Sequence, residues 1–152
     1  MTSLKEQLHA DLTVAIRAKD SISSGTLRMV LAAITNEEVA GKVARELTDQ
    51  DVVTVLTREA KKRREAATAY DDAKRPELAD KERAELAIIQ GYLPEALSTD
   101  EITQIIQKAI AESGAQGPSG MGAVMKLVTP QVAGRADGSE VAALVKTLLA
   151  SA

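Results

Sequence analysis

The sequence contains no cysteine, no phenylalanine and no tryptophan among its 152 residues, and Tyr70 and Tyr92 are its only aromatic side chains. Without cysteine, the chain forms no disulfide, binds no metal through thiolates and offers no thiol nucleophile. Any core has to be built from Leu, Ile, Val, Ala and Met. The aromatic stacking by which many proteins hold single-stranded nucleic acid is nearly excluded.

The sequence also lacks long apolar runs and a strong charge imbalance. No segment approaches the roughly 20 apolar residues that a membrane-spanning helix needs, so a membrane is not an expected partner. The first residues are typical of an amphipathic helix rather than of a signal peptide, and a cytoplasmic protein is expected. The net charge of −3 by itself indicates neither nucleic acid nor membrane binding.

Amphipathic helical patterns with start and stop signals fill most of the chain. No alternation of apolar and polar residues with a period of two is present, so the predicted fold class is all-α. The stretch Leu86–Ser98, with Pro94 inside it, ends one helix and opens another. We therefore predict a four-helix N-terminal domain at 1–93 and a three-helix tail domain at 94–152.

Capping signals, glycines and prolines place the boundaries of these helices. A Glu follows three residues after Ser3 and after Ser98, which is the spacing of a capping box, and Thr48 opens a helix with early carboxylates. Residues 20–24 are interpreted as a polar corner. In chain order, helices are predicted from Ser3 to about Lys19, from Thr26 to a stop near Gly41, from Asp49 to Asp72, from Pro76 into Leu86–Ser98, from Ser98 to Gly114, from Met121 to Thr129, and from Asp137 onward.

Five residues are assigned structural roles. Arg63 falls in the middle of the apolar face of the third helix, where it either extends past the core or pairs with a carboxylate of another helix. A buried ion pair is the favoured interpretation, because an unpaired buried charge costs several kcal/mol. Pro94 blocks continuation of the fourth helix, and Gly134, Asp137 and Gly138 form a turn in which Asp137 caps the last helix.

The sequence offers no constellation that is suited to catalysis, a metal or a cofactor. His9 stands without a clustered Cys or carboxylate, so it is interpreted as a surface residue. The glycines at Gly120 and Gly122 follow no strand and lack the Lys-Ser/Thr of a phosphate-binding loop. Ser119 is interpreted as a helix cap, since no histidine is placed to activate it as a nucleophile.

The basic run Arg58, Lys61, Lys62 and Arg64 is the most prominent charged feature. The simpler interpretation is a solvated helix face that is balanced by neighbouring glutamates. The functional interpretation is contact with a phosphate backbone, which needs only Lys and Arg that project from a rigid element.

Several strings of this sequence resemble the GatB/YqeY family, and they occur in its order along essentially the whole chain. They are Thr26–Ile34 (TLRMVLAAI), Glu46–Asp49 (ELTD), Lys61–Arg63 (KKR), Tyr92–Ser98 (YLPEALS) and Gly134–Gly138 (GRADG). The last two are the most specific. Thr35 departs from the basic residue that often follows the first string.

The resemblance implies an all-helical fold and the role of the tail module in the amidotransferase B subunit, which helps to hold tRNA. It also brings a family label, carbon–nitrogen ligase activity with glutamine as the amido-N-donor. We expect that this label belongs to the larger subunit, because no kinase-like catalytic domain or amidase Ser/Lys site is visible here. The chain is therefore expected to be a non-catalytic module without a cofactor.

The leading hypothesis is an accessory protein that binds tRNA or other RNA. Its predicted contacts are Arg58, Lys61, Lys62 and Arg64, and in the tail Lys126 and Arg135. The alternatives are a module that docks on an aminoacyl-tRNA synthetase or an amidotransferase, and an enzyme that itself transfers the amide nitrogen of glutamine.

Overall fold

Seven α-helices make up the computed structural model, which describes residues 2–151 and contains no β-strand in that range. Their bounds are α1 Leu4–Arg17, α2 Ser21–Glu38, α3 Asp49–Asp72, α4 Pro76–Gln90, α5 Thr99–Ser113, α6 Met121–Val132 and α7 Gly138–Ala150. A single turn of 3-10 helix, Pro118–Gly120, precedes α6. The all-α prediction is confirmed.

Reciprocal side-chain hydrogen bonds close the N-termini of three helices, as the capping signals predicted. At α1, the Glu6 N–H donates to Ser3 Oγ (3.1 Å) and the Ser3 N–H donates to Glu6 Oε2 (3.0 Å). Thr48 and Ser98 close α3 and α5 in the same way. Each cap contributes about 0.5–2 kcal/mol to the stability of its helix, so the starts of these helices are fixed locally.

The second helix begins earlier than predicted, and the polar corner at residues 20–24 is wrong. Asp20 is the N-cap of α2, and its carboxylate accepts hydrogen bonds from the Ser23 hydroxyl (2.7 Å) and the Ser23 N–H (3.0 Å). These bonds lower the pKa of Asp20. One turn later, the buried Thr26 hydroxyl donates to Ile22 O at 2.8 Å. Serine and threonine are compatible with a helix start because they hydrogen-bond to backbone groups nearby.

The same helix also ends before the predicted stop at Gly41. Its last residue is Glu38, whose carbonyl accepts a hydrogen bond from the Arg45 N–H at 2.9 Å. The Glu38 carboxylate lies 2.9 Å from Lys5 Nζ, and this hydrogen bond holds the pKa of Glu38 below its ordinary value. The loop and α1 thus satisfy this end of the helix, and no glycine cap is needed.

The sixth helix continues through Pro130, and the predicted end at Thr129 is wrong. Proline has no N–H, so α6 loses the hydrogen bond that residue 130 would otherwise donate to the Lys126 carbonyl. The helix nevertheless reaches Val132, which is 5% exposed and packs into the core of the tail. Burial of a valine side chain is worth about 1.5–3 kcal/mol, which offsets the loss of one hydrogen bond near a helix end.

The chain divides into two compact units, Met1–Leu93 and Pro94–Ala152. In the first unit, α3 packs along α4, α1 packs along α2, and α2 also contacts α3 and α4. Its hydrophobic core consists of aliphatic side chains. The most deeply buried members are Leu8, Val30, Ile34, Val52, Val55, Leu56, Ala60 and Ile89.

The second unit packs α5, α6 and α7 against one another in all three pairs. Its core is also aliphatic, and it is formed by Ile102, Ile106, Ala109, Val124, Val128, Val132, Val141, Val145 and Leu149. Between residues 2 and 151, none of the helices is both long and apolar enough to cross a membrane.

A close backbone approach fixes the entry into α6. Gly114 ends α5 in the left-handed conformation (φ 65°), and the chain then folds back so that Gly120 meets Ala115. A Cβ atom at position 120 would lie 2.5 Å from the Ala115 Cβ atom. Glycine is therefore required there by packing.

Replacing Gly120 with Ala should destabilise the tail unit by about 1–3 kcal/mol, because the added methyl group overpacks a site with no space for it. The matched variant is Gly122→Ala in the first turn of α6, where a Cβ atom would meet nothing within 4 Å. That variant should stabilise the tail unit by less than about 1 kcal/mol. Amide hydrogen exchange of α5–α7 in urea measures both effects, and an equal response would contradict the packing requirement.

Candidate nucleic-acid interface

Most of the predicted contact residues lie on α3, the longest helix of the first unit. At about 1.5 Å per residue, its 24 residues extend over about 36 Å. Its inner face is buried against α2 and α4 through Val52, Leu56, Ala60 and Ala67. The helix is consequently a rigid support for the side chains on its outer face.

Three of the four predicted basic residues share one outer face of α3. At about 100° per residue, Lys61 and Lys62 fall within roughly 60° of Arg58 on either side, whereas Arg64 lies further round the helix. All four side chains are exposed. Glu65 projects from the middle of the same face, so the surface consists of clustered cations with one carboxylate among them.

The cations of this face are held weakly by nearby carboxylates. Arg58 Nη2 lies 3.0 Å from Glu37 Oε2 of α2, and Lys62 Nζ lies 3.3 Å from Glu59 Oε1. Arg64 has no ion-pair partner among residues 2–151. Exposed ion pairs contribute about 0–1 kcal/mol, so a phosphate group can replace these carboxylates at little cost.

The remaining cation of the run, Arg63, points into the protein and is only 4% exposed. Its Nη1 atom pairs with the Glu59 carboxylate, and its Nε atom lies 3.5 Å from Glu85 Oε2 of α4. Nη2 donates to the Met29 sulfur of α2 at 3.7 Å. The buried ion pair with a carboxylate of another helix, favoured in the sequence analysis, is thus present.

Sequence reasoning identified Arg63 but missed Glu85, which is also buried. A signal for Glu85 existed: at about 100° per residue it falls on the apolar face of α4, close to Leu78 and Ile89. A charged residue on the apolar face of α3 and another on that of α4 are complementary. Helical spacing alone could therefore have suggested an ion pair between these two residues.

The other two predicted contacts, Lys126 and Arg135, belong to the second unit. Lys126 is an exposed residue of α6. Arg135 lies in the turn before α7 and is partly buried. The four α3 residues thus share one unit, and these two cations lie in the other.

The structure assembles no metal-binding cluster of three or more His, Cys, Asp or Glu residues in the part of the chain that it describes. His9 is exposed on α1, and Ser119 lies in the exposed 3-10 turn.

Comparison with known proteins identifies the family. A family model described as "Yqey-like protein" matches residues 5–149, which is almost the whole chain. The chain belongs to this family. The GatB/YqeY resemblance drawn from the motif strings is thereby confirmed.

Fungal proteins are among the curated relatives of this Yqey-like chain. "Altered inheritance of mitochondria protein 41, mitochondrial" of Pyrenophora tritici-repentis is 32% identical over 137 residues, which cover 88% of this chain and 74% of the relative. The protein of the same name from Clavispora lusitaniae is 30% identical over 135 residues, covering 86% and 77%. An uncharacterized Schizosaccharomyces pombe protein is 30% identical over 97 residues, covering 63% and 76%. These names state no biochemical activity.

The two most specific strings of the family resemblance contact each other within the tail unit. Leu97 N–H donates to the Arg135 carbonyl (2.8 Å), and Arg135 Nε donates to the Glu95 carbonyl (3.1 Å). Gly134 adopts the left-handed conformation (φ 75°), which favours glycine, and Asp137 accepts from the Ser139 N–H at the start of α7. The two hydrogen bonds of Arg135 therefore hold the segment that follows the exposed Pro94 against this turn.

Replacing Arg63 with Met should lower the free energy of unfolding of the first unit by about 3–5 kcal/mol, because Glu85 is left buried without its cation. The matched variant Arg64→Met removes the same charge from the next, exposed position and should change stability by less than about 0.5 kcal/mol. Urea unfolding followed by circular dichroism measures both.

A double variant, Arg63→Met with Glu85→Leu, separates loss of charge balance from loss of packing. It should recover part of the stability, because no uncompensated carboxylate remains on α4 and Glu59 keeps its contact with Lys62. Equal losses in the Arg63 and Arg64 variants would contradict the account of this cluster.

Proposed function

We propose that this protein is a non-catalytic accessory module that binds tRNA or other structured RNA through the outer face of α3. The observation that carries the proposal is the arrangement of Arg58, Lys61, Lys62 and Arg64, four exposed cations on one rigid helix. Contacts of this kind position a phosphate backbone and need no catalytic geometry.

Local clustering supports this assignment in spite of the net negative charge. A net charge of −3 spread over the chain is screened beyond about 8–10 Å at physiological ionic strength, so nearby charges dominate at a surface. On the outer face of α3, Arg58, Lys61 and Lys62 surround the exposed carboxylate of Glu65, and Arg64 adds a fourth cation further round the helix. The face is thus locally cationic.

The composition indicates which kind of RNA contact is available. With no Phe or Trp and two tyrosines, the protein lacks the platforms on which unpaired bases stack. Recognition would rest on phosphates and on the shape of the RNA, which suits a folded molecule such as tRNA. The tail cations Lys126 and Arg135 are secondary candidates, and Arg135 would contact RNA only with the guanidinium nitrogens other than Nε.

Family membership supports a role in RNA binding, although the family description names no activity. The family resemblance includes the tail of the amidotransferase B subunit, whose role is to help hold tRNA. Partners of the present chain would be tRNA and the aminoacyl-tRNA synthetase or amidotransferase that acts on it. The cytoplasm is the proposed compartment, whereas two of the relatives described above are named as mitochondrial.

Replacing Lys61, Lys62 and Arg64 with Ala should weaken the binding of unfractionated tRNA on the order of ten-fold at about 100 mM salt, because three phosphate contacts are lost. Fluorescence anisotropy of labelled tRNA measures the affinity. Circular dichroism verifies that the helices are retained.

The matched control replaces Arg17, Lys42 and Lys81, three exposed cations elsewhere in the first unit, with Ala. It removes the same charge, and it should leave the affinity within about three-fold of the unmodified protein, since bulk charge acts weakly. Equal losses in the two variants, or no loss in the α3 variant, would overturn the placement on α3.

Two other functions give different outcomes. A protein partner that remains bound after nuclease treatment, without any tRNA affinity, would favour a docking module. Glutaminase activity or ATP-dependent amidation by the pure protein would favour an enzyme that uses glutamine as its amide nitrogen donor.

A further inference from the structure

An open pocket of about 250 Å³ lies among α1, α2 and α4 of the first unit. No residue of α3 lines it, so it is separate from the basic face described above. Its lining includes the buried Ala15 and Leu27 together with Val14, which is 64% exposed. The pocket thus offers an apolar interior together with an exposed aliphatic side chain.

Neither Asp11 nor Asp20, the two carboxylates that line this pocket, has a cationic partner in the described part of the chain. No Lys or Arg among residues 2–151 lies within ion-pair distance of either one. Elsewhere in the unit, carboxylates such as Glu37, Glu38 and Asp51 are paired. The pocket therefore combines apolar surface with uncompensated negative charge, which is complementary to a cation carried beside an apolar group.

Hydrogen bonds hold both carboxylates in place. The Tyr92 hydroxyl donates to Asp11 Oδ2 at 2.5 Å, and partial burial together with this bond raises the pKa of Tyr92. The phenol thus remains a donor at neutral pH. Asp20 accepts from Ser23, as described for the start of α2. Neither interaction neutralises the negative charge of its carboxylate.

The size and shape of the pocket favour a protein side chain as occupant. Pockets that enclose small molecules typically measure about 300–1,000 Å³ and bury most of the ligand. This pocket is smaller, it is open to solvent, and residues of three helices line it. Grooves of this kind commonly bind an amphipathic helix of a partner protein, which inserts an apolar anchor side chain into the pocket.

We propose that this groove docks an amphipathic helix of a partner protein, which inserts a large aliphatic or aromatic side chain between α1 and α2. Lys or Arg residues one turn before and after the anchor pair with Asp11 and Asp20. This interaction surface is additional to RNA binding, and its test does not depend on RNA.

Two synthetic 18-residue peptides on an Ala/Gln helical host test the proposal. Each carries a central Leu, and positions four residues before and after it hold Lys in one peptide and Glu in the other. Nitrogen-15 NMR spectra of the full chain are recorded as each peptide is added up to millimolar concentration. The Lys peptide should shift the amides of Val14, Ala18 and Ser23, and the Glu peptide should bind at least ten-fold more weakly.

Variants of the pocket and of a distant site complete the test. Asp11→Asn with Asp20→Asn keeps the hydrogen-bond acceptors and the α2 cap, and it should abolish the preference for Lys over Glu. Val14→Lys should eliminate binding. Val43→Lys is the matched control, because Val43 is 80% exposed in the loop between α2 and α3 and does not line the pocket. It should leave binding unchanged.

Several results would overturn the proposal. They are equal shifts with both peptides, no shift of the pocket amides by the Lys peptide at millimolar concentration, and an effect of Val43→Lys as large as that of Val14→Lys. Phenethylamine alone causing the full response would instead indicate a small amine ligand. Shifts of the same amides by tRNA, and none by the Lys peptide, would indicate RNA.

Discussion

The buried pairing of Arg63 with Glu59 and Glu85 is the constraint on which the first unit depends. Arg63 lies on the inner face of α3, yet it carries a charge that has to be neutralised inside the protein. Glu85 supplies part of that neutralisation from α4. The rotation of α3 about its own axis is thereby fixed relative to α4, because a turn of about 100° would expose Arg63 and bury a neighbouring cation.

That fixed rotation determines what the rest of α3 presents to its surroundings. With Arg63 inside, Arg58, Lys61 and Lys62 face outward together, so one basic run serves both stability and surface charge. Lys62 and Arg63 share the Glu59 carboxylate and therefore couple the inner cluster to the outer face. The proposed RNA surface is accordingly built on a rigid part of the unit rather than on a mobile loop.

Local signals were sufficient for the parts of the fold in which a few adjacent residues decide the structure. The helix starts at Ser3, Thr48, Ser98 and Asp137 follow from cap hydrogen bonds within one helical turn. The cases that failed have different causes. The serine-rich first turn of α2 is helical because Asp20 caps it locally, whereas α6 passes Pro130 because Val132 is buried in the tail core.

In the candidate sites, too, some residues could be predicted from local sequence patterns and others are brought together only by tertiary packing. The basic residues of α3 and the inward position of Arg63 could be predicted from helical spacing. Helical spacing also places Glu85 on the apolar face of α4, whereas the pocket with Asp11, Asp20 and Tyr92 could not be identified without the packing of α1, α2 and α4. Tyr92 lies 81 positions after Asp11, yet the hydrogen bond between them organises the pocket. No local pattern in the sequence carries a contact of that separation.

The salt dependence of tRNA binding by the unmodified protein tests the central claim most directly. If α3 contacts three or four phosphates, the affinity should fall with salt, with a log–log slope of about −2 to −4. A slope in that range would show that phosphate contacts drive association. Absence of binding at about 20 mM salt, where electrostatic attraction is strongest, would contradict the assignment of α3 as an RNA-binding surface.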